Sequence, residues 1–596
     1  MHGPDDAEAE RQEYCDLNYK VAYVPTLEYQ LPWFNAAETY KQHEEKQNRL
    51  GPAANSLQRR PGRVYGGYLS IDEVCPRTGD HAYYKHPVFK EFEKSAFHLA
   101  ANILLFCDLR FILAHQNIAK RIMKRLGLIN LLSVMLIIWS CSDDWTFSTD
   151  SRYVLGFSAD TLKMDTVFTG VTSASDGFMV YNPNDVGLRF DALMGGGSGS
   201  PFRMNLDGEG GAVITGLEIP ARDSLFCFIS VNIPATNQAE LFEAFDSIRF
   251  VLESGMVQSV KLSARGQNAV RLNGVRIDSD TKFTAKLPYI IYDSLFVAEG
   301  ATLTLAPGTR LYFHKDAVLD VAGKLLVQGT QDSVVLMRGD RIDRMFADLP
   351  YDLLAGQWGG IRVRGPSYGN RLEWCDIHGG NWGIAADGAD ADQVKLSVIS
   401  SVIHNVSING IEAVGCRIEV ANTQITNAGV SCVDITGGWS EFTFCTIAGF
   451  SLWSYGSQAV ILADRVGESV VPFKGAWFRN CIITGRHESE FITLFEDSIS
   501  LSAPYSVSNS LLMVKDTTDA RFHNVVFEDR SSKVYGSLNF VDQTMRGYSS
   551  VFALDSLSPA RGIADTLSTV WPVDLAGLSR PQYGADAGCF QYHSLK

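Results

Sequence analysis

The 596-residue sequence has little proline and no excess of positive charge. It holds 20 Pro against 52 Gly, with 46% hydrophobic and 20% charged residues, a balance that excludes collagen-like and disordered chains. The formal net charge is −15, and the acidic excess falls in residues 141–596, which carry 51 acidic against 35 basic side chains. Because a surface of this sign repels phosphate groups, we expect no nucleic-acid partner.

Several motifs that identify common activities are also missing. The sequence has no P-loop, no other glycine loop that cradles phosphate, and no nucleophile elbow. Its 11 Cys form no close CxxC pairs, so we predict buried thiols, with neither a disulfide framework nor a metal site. The length exceeds the roughly 100 to 200 residues of one domain, which indicates several structural units.

A short apolar run lies well inside the chain. The cationic segment Met123-Lys124-Arg125 precedes 14 mostly apolar residues, Leu126–Trp139, and Ser140-Cys141 follows. The run is shorter than the roughly 20 residues that cross a bilayer as a helix. This layout is typical of a secretory signal peptide, here at residues 123–140.

The residues that follow the apolar run resemble known processing signals. Ile138-Trp139-Ser140-Cys141 resembles a bacterial lipobox, and Cys141-Ser142-Asp143-Asp144 is similar to the start of Bacteroidota-type surface lipoproteins. The resemblance implies lipidation of Cys141, an outer-membrane lipid anchor and exposure at the cell surface. Residues 1–122 then precede the mature start and are interpreted as an over-extended start. A genuine N-terminal segment followed by an internal membrane segment is the alternative.

Residues 141–267 have the pattern of short strands separated by turns. Phe178-Met179-Val180-Tyr181 is followed by the turn Asn182–Asp185, and then Leu188, Phe190 and Ala192 alternate. Strands at intervals of about ten residues without helical periodicity predict an immunoglobulin-like β-sandwich.

A repeat begins after this region. Six segments place a small residue two positions before an aliphatic one, and the aliphatic residues recur at intervals of 26, 22, 22, 36 and 29. The six are Cys375-Asp376-Ile377, Ser401-Val402-Ile403, Thr423-Gln424-Ile425, Cys445-Thr446-Ile447, Cys481-Ile482-Ile483 and Ser510-Leu511-Leu512. A Gly or Asn follows the first five within two residues, and such residues tolerate left-handed turns. The pattern predicts stacked coils of a β-solenoid.

Two further segments carry a specific resemblance. Ala306-Pro307-Gly308-Thr309 followed by Gly356-Gln357-Trp358-Gly359-Gly360-Ile361 resembles right-handed parallel β-helix proteins of the pectate-lyase-like class. The region around Asp555–Asp565 is similar to the closing segment of many such proteins. We therefore predict an all-β chain with an immunoglobulin-like sandwich, a right-handed parallel β-helix at residues 268–550 and a closing segment at 551–596.

The longest excursion among the early coils is a loop rich in Arg and Asp, residues 338–352. Loops held by a rigid scaffold carry function disproportionately, and these side chains could bind a sugar or simply pair with one another. The candidate catalytic residues are Arg341, Asp343, Arg344, Asp348 and Asp352, with Tyr351 as a candidate ligand-binding residue.

Other candidates lie on the predicted coils. Trp382 and Trp439 sit at Gly-rich turns, where an indole is exposed and could stack on a sugar ring. His378 and His404 occupy equivalent coil positions and predict a structural pair, with a metal or acid–base role as the alternative. Four acidic residues could meet on one face: Asp376, Asp387, Asp390 and Asp434.

Against catalysis, the Asp-Asp and Gly-His-Gly motifs of polygalacturonase-like members are absent from residues 268–596. Lyase chemistry of the pectate-lyase type would require an Arg or Lys base beside calcium-binding acids, which leaves calcium open as a cofactor. We predict a surface protein whose β-helix binds polysaccharide. A polysaccharide lyase or glycoside hydrolase is the first alternative, and a structural adhesin is the second.

Overall fold

The computed structural model describes residues 146–593 apart from 237, 347–348, 389, 452–456, 497–503, 529–537 and 543–550. The described chain is almost entirely β, with three short 3₁₀ helices at Gly197–Gly199, Tyr351–Leu353 and Thr566–Thr569. No helix within these residues has the length and apolar content to cross a membrane. The predicted all-β fold is confirmed.

The first part is a sandwich of two five-stranded sheets, ordered β1-β3-β8-β5-β6 and β2-β10-β9-β4-β7. Its strands are β1 (Gly156–Phe157), β2 (Thr161–Phe168), β3 (Asp176–Tyr181), β4 (Leu188–Met194), β5 (Phe202–Leu206), β6 (Glu209–Gly211), β7 (Val213–Ile219), β8 (Ser224–Val231), β9 (Phe242–Leu252) and β10 (Val257–Gln267). Alternate residues of each strand point between the sheets, and Phe178, Phe190 and Phe250 are buried there. This is the immunoglobulin-like sandwich that the alternating pattern predicted.

The second part is a parallel β-helix whose coils have three faces, named here in chain order. The first face contains β12 (Thr281–Phe283), β14 (Thr302–Leu305), β17 (Lys324–Gln328), β22 (Asn370–Glu373), β25 (Val394–Ile399), β28 (Arg417–Ala421), β31 (Gly438–Thr443), β36 (Phe473–Arg479), β39 (Tyr505–Ser508) and β41 (Phe522–His523). The second face contains β15 (Arg310–Phe313), β18 (Val335–Gly339), β23 (Cys375–His378), β26 (Val402–Val406), β29 (Gln424–Ala428), β32 (Thr446–Gly449), β37 (Ile482–Gly485), β40 (Leu511–Leu512) and β42 (Val526–Phe527). The third face contains β16 (Val318–Val321), β21 (Gly360–Val363), β24 (Ile384–Ala386), β27 (Asn409–Val414), β30 (Ser431–Thr436), β33 (Gln458–Ala463) and β38 (Phe491–Leu494).

The remaining strands are of two kinds. The first coil begins with β11 (Val270–Ile277), which pairs in parallel with β13 (Tyr289–Val297), and β13 in turn pairs with both β15 and β16. Among the described residues, three small antiparallel strand pairs lie outside the three faces: β19 (Arg344–Phe346) with β20 (Leu349–Pro350), β34 (Arg465–Val466) with β35 (Ser469–Val470), and β43 (Phe540–Asp542) with β44 (Val551–Leu554).

The predicted ladder of aliphatic residues is confirmed on the second face. Parallel pairing aligns, one coil after another, Ile377, Ile403, Ile425, Ile447, Ile483 and Leu512. All six are fully buried, and the small residues two positions earlier form a second buried column. Each coil buries its inner side chains only against its neighbours, so the array is the stable unit.

The left-handed turns after this ladder are confirmed for three coils and wrong for two. Gly379, Asn405 and Asn427 have φ of 73°, 50° and 58°. Gly449 and Gly485 instead end strands β32 and β37 without a left-handed backbone. A Cβ at Gly485 would lie 2.2 Å from Oε1 of the buried Glu490, so glycine is required there by close packing.

The predicted buried thiols are also confirmed. Seven described cysteines are free and buried, among them Cys375, Cys445 and Cys481 of the small-residue column. Burial raises the pKa of the Cys375 thiol to about 12, although its contact with Ser401 acts in the opposite direction. The Cys375 thiol is therefore a protonated packing group at neutral pH.

The C-terminal segment, residues 551–593, runs along the corner between the first and second faces. Ala576 O accepts a hydrogen bond from Gln331 Nε2 at 2.8 Å, and Arg580 Nη2 donates to Asn422 Oδ1 at 2.7 Å. Further along the solenoid, Cys589 N donates to Thr446 Oγ1 at 3.1 Å. The segment thus contacts early and late coils alike.

Candidate functional site

The long Arg/Asp loop connects β18 on the second face to β21 on the third. It contains the β19–β20 hairpin and the 3₁₀ helix Tyr351–Leu353. Its end is fixed to the next coil, because Gly356 N donates to Gly380 O at 3.1 Å and Gln357 N to Gly379 O at 2.7 Å. The loop therefore lies at the corner between the second and third faces, where the predicted His and Trp residues also lie.

Two of the predicted catalytic residues, Arg341 and Asp343, pair with each other. Arg341 donates to both carboxylate oxygens of Asp343 at 2.7 and 2.6 Å, and its guanidinium lies 3.9 Å from the centre of the Tyr351 ring. Arg344 is exposed on the hairpin, close enough to Asp165 of the sandwich to influence that carboxyl. Asp348 lies outside the described residues. The Arg341–Asp343–Tyr351 group is thus a stabilising contact within the loop.

Asp352 differs from the other acids because it reaches the coil below. It pairs with Arg338 and lies 2.8 Å from Nε2 of His378. Burial alone would raise the pKa of Asp352, but the hydrogen bond and charge of His378 together with Arg338 lower it. The loop therefore places one carboxylate against the second face.

His378 is the centre of a cluster on that face. Its Nδ1 lies 2.7 Å from Asp376 Oδ1, and the same oxygen lies 3.2 Å from Nε2 of His404 on the next coil. The two imidazole centres are 4.6 Å apart, which confirms the predicted stacking of His378 on His404. Beneath them, the buried indole of Trp358 donates to His378 O at 2.8 Å and fixes the backbone.

The charges of this cluster stabilise one another. Burial acts to lower the pKa of His378, but the charge of Asp376 and hydrogen bonds to Asp352 and Asp376 outweigh it and raise the pKa to about 9. Burial acts to raise the pKa of Asp376, yet the two imidazoles hold it well below its usual range. The three residues Asp376, His378 and His404 offer ligand atoms within 4.8 Å of one another.

A second group of polar side chains lies on the third face, immediately beyond the turn that follows His378. Trp382 Nε1 donates to Glu412 Oε2 at 2.9 Å, and Asn409 Nδ2 donates to the same oxygen at 2.9 Å. Glu412 aligns in parallel register with Asp434 on the next coil. Trp382, Glu412 and Asp434 are each partly exposed, so this group is accessible from solvent.

Asp434 has unusual surroundings for a carboxyl group. No described residue hydrogen-bonds its side chain or pairs with it, although it lies beside Glu412. Burial and then the neighbouring charge of Glu412 raise the pKa of Asp434 to about 7. A carboxyl that keeps its proton near neutral pH, next to a second carboxylate, is the arrangement that general acid catalysis of glycoside hydrolysis uses.

The prediction that four Asp meet on one face is wrong. Asp376 belongs to the second face and Asp434 to the third, because the coils turn by a corner between their strands. Asp387 accepts a hydrogen bond from Arg362 at 3.0 Å, and Asp390 lies in the connection that follows β24. The acidic residue beside Asp434 is instead Glu412, which the sequence reasoning missed.

A repeated pattern could have identified Glu412. Gly383-Ile384-Ala385-Ala386 and Gly410-Ile411-Glu412-Ala413 differ mainly by the exchange of Ala385 for Glu412, and the structure aligns them. On the next coil, the residue that aligns with Glu412 is Asp434. The repeat that aligns Glu412 with Asp434 therefore belongs to the third face. The repeat of small and aliphatic residues that predicted the solenoid belongs to the second face.

Trp439 occupies a different face. It lies on the first face, with Arg417 4.3 Å from its ring centre and Trp477 5.1 Å away in a tilted arrangement. Trp439 is half-buried, so these neighbours leave part of the indole accessible. It is thus separate from the group around Trp382.

Calcium is a poor fit to these residues. Calcium binds through six to eight oxygen ligands, whereas the cluster on the second face offers two imidazole nitrogens and one carboxylate. Several carboxylates of the Arg/Asp loop are already paired with arginine, as in Asp343 with Arg341 and Asp352 with Arg338. The predicted lipidation site, Cys141, lies outside the described residues.

No protein-family model and no curated protein sequence matches the chain. Parts of it align with the catalytic domain of a GH87 alpha-1,3-glucanase in complex with nigerose, at 10% identity and a TM-score of 0.17, over 60% of this chain and 88% of that one. A family 123 glycoside hydrolase from Clostridium perfringens aligns at 8% identity and a TM-score of 0.15, over 20% of this chain and 30% of that one. A PapD-like domain of human CEP192 aligns at 11% identity and a TM-score of 0.14, over 21% of this chain and 92% of that one. Alignments this weak carry no functional argument, so function is argued from the residues of this chain.

Proposed function

We propose that the β-helix binds polysaccharide on its third face, around Trp382, Glu412 and Asp434. The observation that carries this proposal is a half-exposed indole held by a carboxylate beside a second, unpaired carboxyl. An aromatic ring offers an apolar platform to a sugar ring, and carboxyl groups accept hydrogen bonds from its hydroxyls. Parallel pairing aligns Glu412 with Asp434, and the hydrogen bond from Trp382 to Glu412 holds the indole beside them.

The charge of the chain narrows the ligand class. The net charge is −15, and the proposed site itself contains two acidic side chains. Acidic polymers such as uronans would be repelled, so the favoured ligand is a neutral polysaccharide.

The test is a binding assay with the full chain against immobilised neutral and acidic polysaccharides. We expect retention by at least one neutral polymer. Trp382→Ala should weaken that retention at least tenfold, because the variant removes the stacking platform. Trp439→Ala on the first face is the comparison variant and should bind as the wild type does. Equal loss in both variants, or no retention of the wild type by any polymer, would overturn the proposal.

A second candidate function, glycoside hydrolysis, is favoured by the raised pKa of Asp434 beside Glu412. Asp434 would donate its proton to the glycosidic oxygen as the glycosidic bond breaks and the Glu412 carboxylate bonds to the anomeric carbon. A water molecule would then hydrolyse the sugar–Glu412 ester and give a proton back to Asp434. Neighbouring strands lie about 4.8 Å apart, which fits the roughly 5 to 5.5 Å between carboxyls in retaining enzymes better than the wider spacing of inverting ones.

Release of new reducing ends distinguishes hydrolysis from binding alone. Hydrolysis predicts that Glu412→Gln and Asp434→Asn each abolish release while binding persists. Glu441→Gln is the matched control, because Glu441 also aligns with a glutamate, Glu419, but on the first face. New ends from the wild type that survive both Glu412→Gln and Asp434→Asn would eliminate this site as the catalytic one.

The location of the protein is part of the same proposal. The lipobox-like segment that ends at Cys141 supports a lipid anchor in the outer membrane, with the sandwich as a spacer below the β-helix. Labelling cells with a palmitate analogue tests this directly. We expect label on the wild type and none on Cys141→Ala, and label that persists on the variant would contradict the anchor.

A further inference from the structure

A cluster of metal-ligating side chains lies on the second face, apart from the proposed sugar site. Its members are Asp376 and His378 of β23 and His404 of β26, brought together by parallel pairing of His378 with His404. Residues 376 and 378 are two positions apart on one strand, so both side chains leave the coil on its outer side. The three side chains therefore converge from two neighbouring coils.

We propose that Asp376, His378 and His404 bind one divalent transition-metal ion such as Zn²⁺. Each residue offers one ligand atom, and these three atoms lie within 4.8 Å of one another. Asp376 Oδ1 is the carboxylate oxygen that contacts both rings. Imidazole nitrogens combined with one carboxylate suit zinc and its neighbours in the first transition row, and they do not suit calcium or magnesium.

The contacts between the three side chains support this assignment. Asp376 Oδ1 lies 2.7 Å from His378 Nδ1 and 3.2 Å from His404 Nε2, so one carboxylate oxygen contacts both imidazole rings. A carboxylate only accepts hydrogen bonds, so each of these contacts contains a ring proton. An ion that binds here takes the place of the proton on each ring nitrogen that coordinates it.

Asp352 supplies the support that a metal-bound histidine requires. A histidine ligand usually donates its other ring N–H to a carboxylate, which orients the ring. His378 Nε2 lies 2.8 Å from Asp352 Oδ1, and Arg338 holds that carboxylate in turn. Asp352 is therefore a positioning residue, and the Arg/Asp loop acquires a role through it.

The site is also open to an ion. The side chain of His378 is 5% exposed, but those of His404 and Asp376 are 22% and 33% exposed, which gives an entry path. Three protein ligands leave one position of a tetrahedral ion for water or another ligand. This inference goes beyond the proposed function, because it concerns another face and does not depend on sugar binding.

The test uses the full chain without a histidine tag, stripped with a chelator and titrated with Zn²⁺ in competition with a chromophoric chelator. We expect one tight site per chain that His404→Gln and Asp376→Asn each weaken at least tenfold. Asp352→Asn should weaken it about tenfold to a hundredfold through the lost support of His378. Substitution by Co²⁺ should give the visible absorption of a four- or five-coordinate ion.

His314→Gln is the matched control, because His314 also lies 2.7 Å from an aspartate, Asp340, but has no second histidine. It should bind Zn²⁺ as the wild type does. Far-UV circular dichroism and metal-free melting temperatures verify that each variant is folded. Folded His404→Gln that retains wild-type affinity, or a wild type without a stoichiometric site, would overturn the proposal. Neither result would affect polysaccharide retention, so the two proposals fail independently.

Discussion

Replacing Asp434 by Asn should make the protein more stable at neutral pH and leave its stability unchanged in acid. The folded protein raises the pKa of Asp434 from 3.8 to about 7, through burial and the charge of Glu412. Between pH 3.8 and about 7 the Asp434 carboxyl is protonated in the folded state and ionised in the unfolded state. The contribution of this carboxyl to the free energy of unfolding is therefore highest below pH 3.8, where both states hold the proton. It falls as the pH rises, until the folded state also loses the proton near pH 7.

The magnitude follows from the size of the shift. Each pH unit corresponds to 1.36 kcal/mol, so a shift of roughly three units corresponds to about 4 kcal/mol before screening. Because Asp434 is partly exposed, solvent reduces this to about 2 to 4 kcal/mol. Asn cannot ionise, so the variant keeps at pH 8 the stability that the wild type loses.

Urea unfolding at pH 4.5, 6 and 8 measures the effect. The stability difference between Asp434→Asn and the wild type should be small at pH 4.5 and should grow to its full value at pH 8. Glu412→Gln should reduce the pH dependence, because it removes the neighbouring charge. Glu441→Gln on the first face should leave it unchanged. A difference for Asp434→Asn that is the same at pH 4.5 and pH 8 would refute the reasoning.

Three further substitutions test the packing of the coils. Phe478 stacks on Phe442 at 4.8 Å with both rings fully buried, so Phe478→Ala should cost about 3 to 5 kcal/mol of stability in urea unfolding, and Phe478→Leu clearly less. Lys395 is buried and its Nζ donates to three backbone carbonyls, so Lys395→Met should lower the unfolding free energy by about 2 to 4 kcal/mol. Arg580→Met removes the bond to Asn422, so limited proteolysis should release the C-terminal segment faster, while cleavage at wild-type rate would show that other contacts hold it.

The sequence predicted the solenoid well because its signal is local and repeated. Each coil places a small residue two positions before an aliphatic one, and this spacing survives intervals from 22 to 36 residues. The pattern persists because insertions fall in the turns, such as the Arg/Asp loop, while the strands keep their length. The alternation of apolar and polar residues predicted the sandwich for the same reason, because that pattern is also local and repeated.

The candidate site was harder to predict because its members come from different coils. Trp382 and Glu412 are 30 positions apart, and Asp352 and His378 are 26 apart across a loop of irregular length. Their contacts depend on how the strands of each face align from coil to coil. The alignment found on one face does not determine the alignment on the next face. The charged residues of the Arg/Asp loop predicted only some of the contacts that the loop makes. The pairing of Arg341 with Asp343 was foreseen, whereas the contact of Asp352 with His378 depends on how the loop folds back.

The C-terminal segment has a consequence for the order in which the molecule is built. A ribosome adds residues 551–593 after the coils that precede them, yet this segment bonds to Gln331, 245 positions before Ala576, and to Asn422. Contacts so distant in sequence form slowly, since the intervening chain must already be arranged. Coils can therefore stack progressively from the sandwich onward, and the contacts between their corner and residues 551–593 form after the coils that they join. A chain that is cut before residue 551 therefore lacks the hydrogen bonds that join this segment to Gln331 and Asn422.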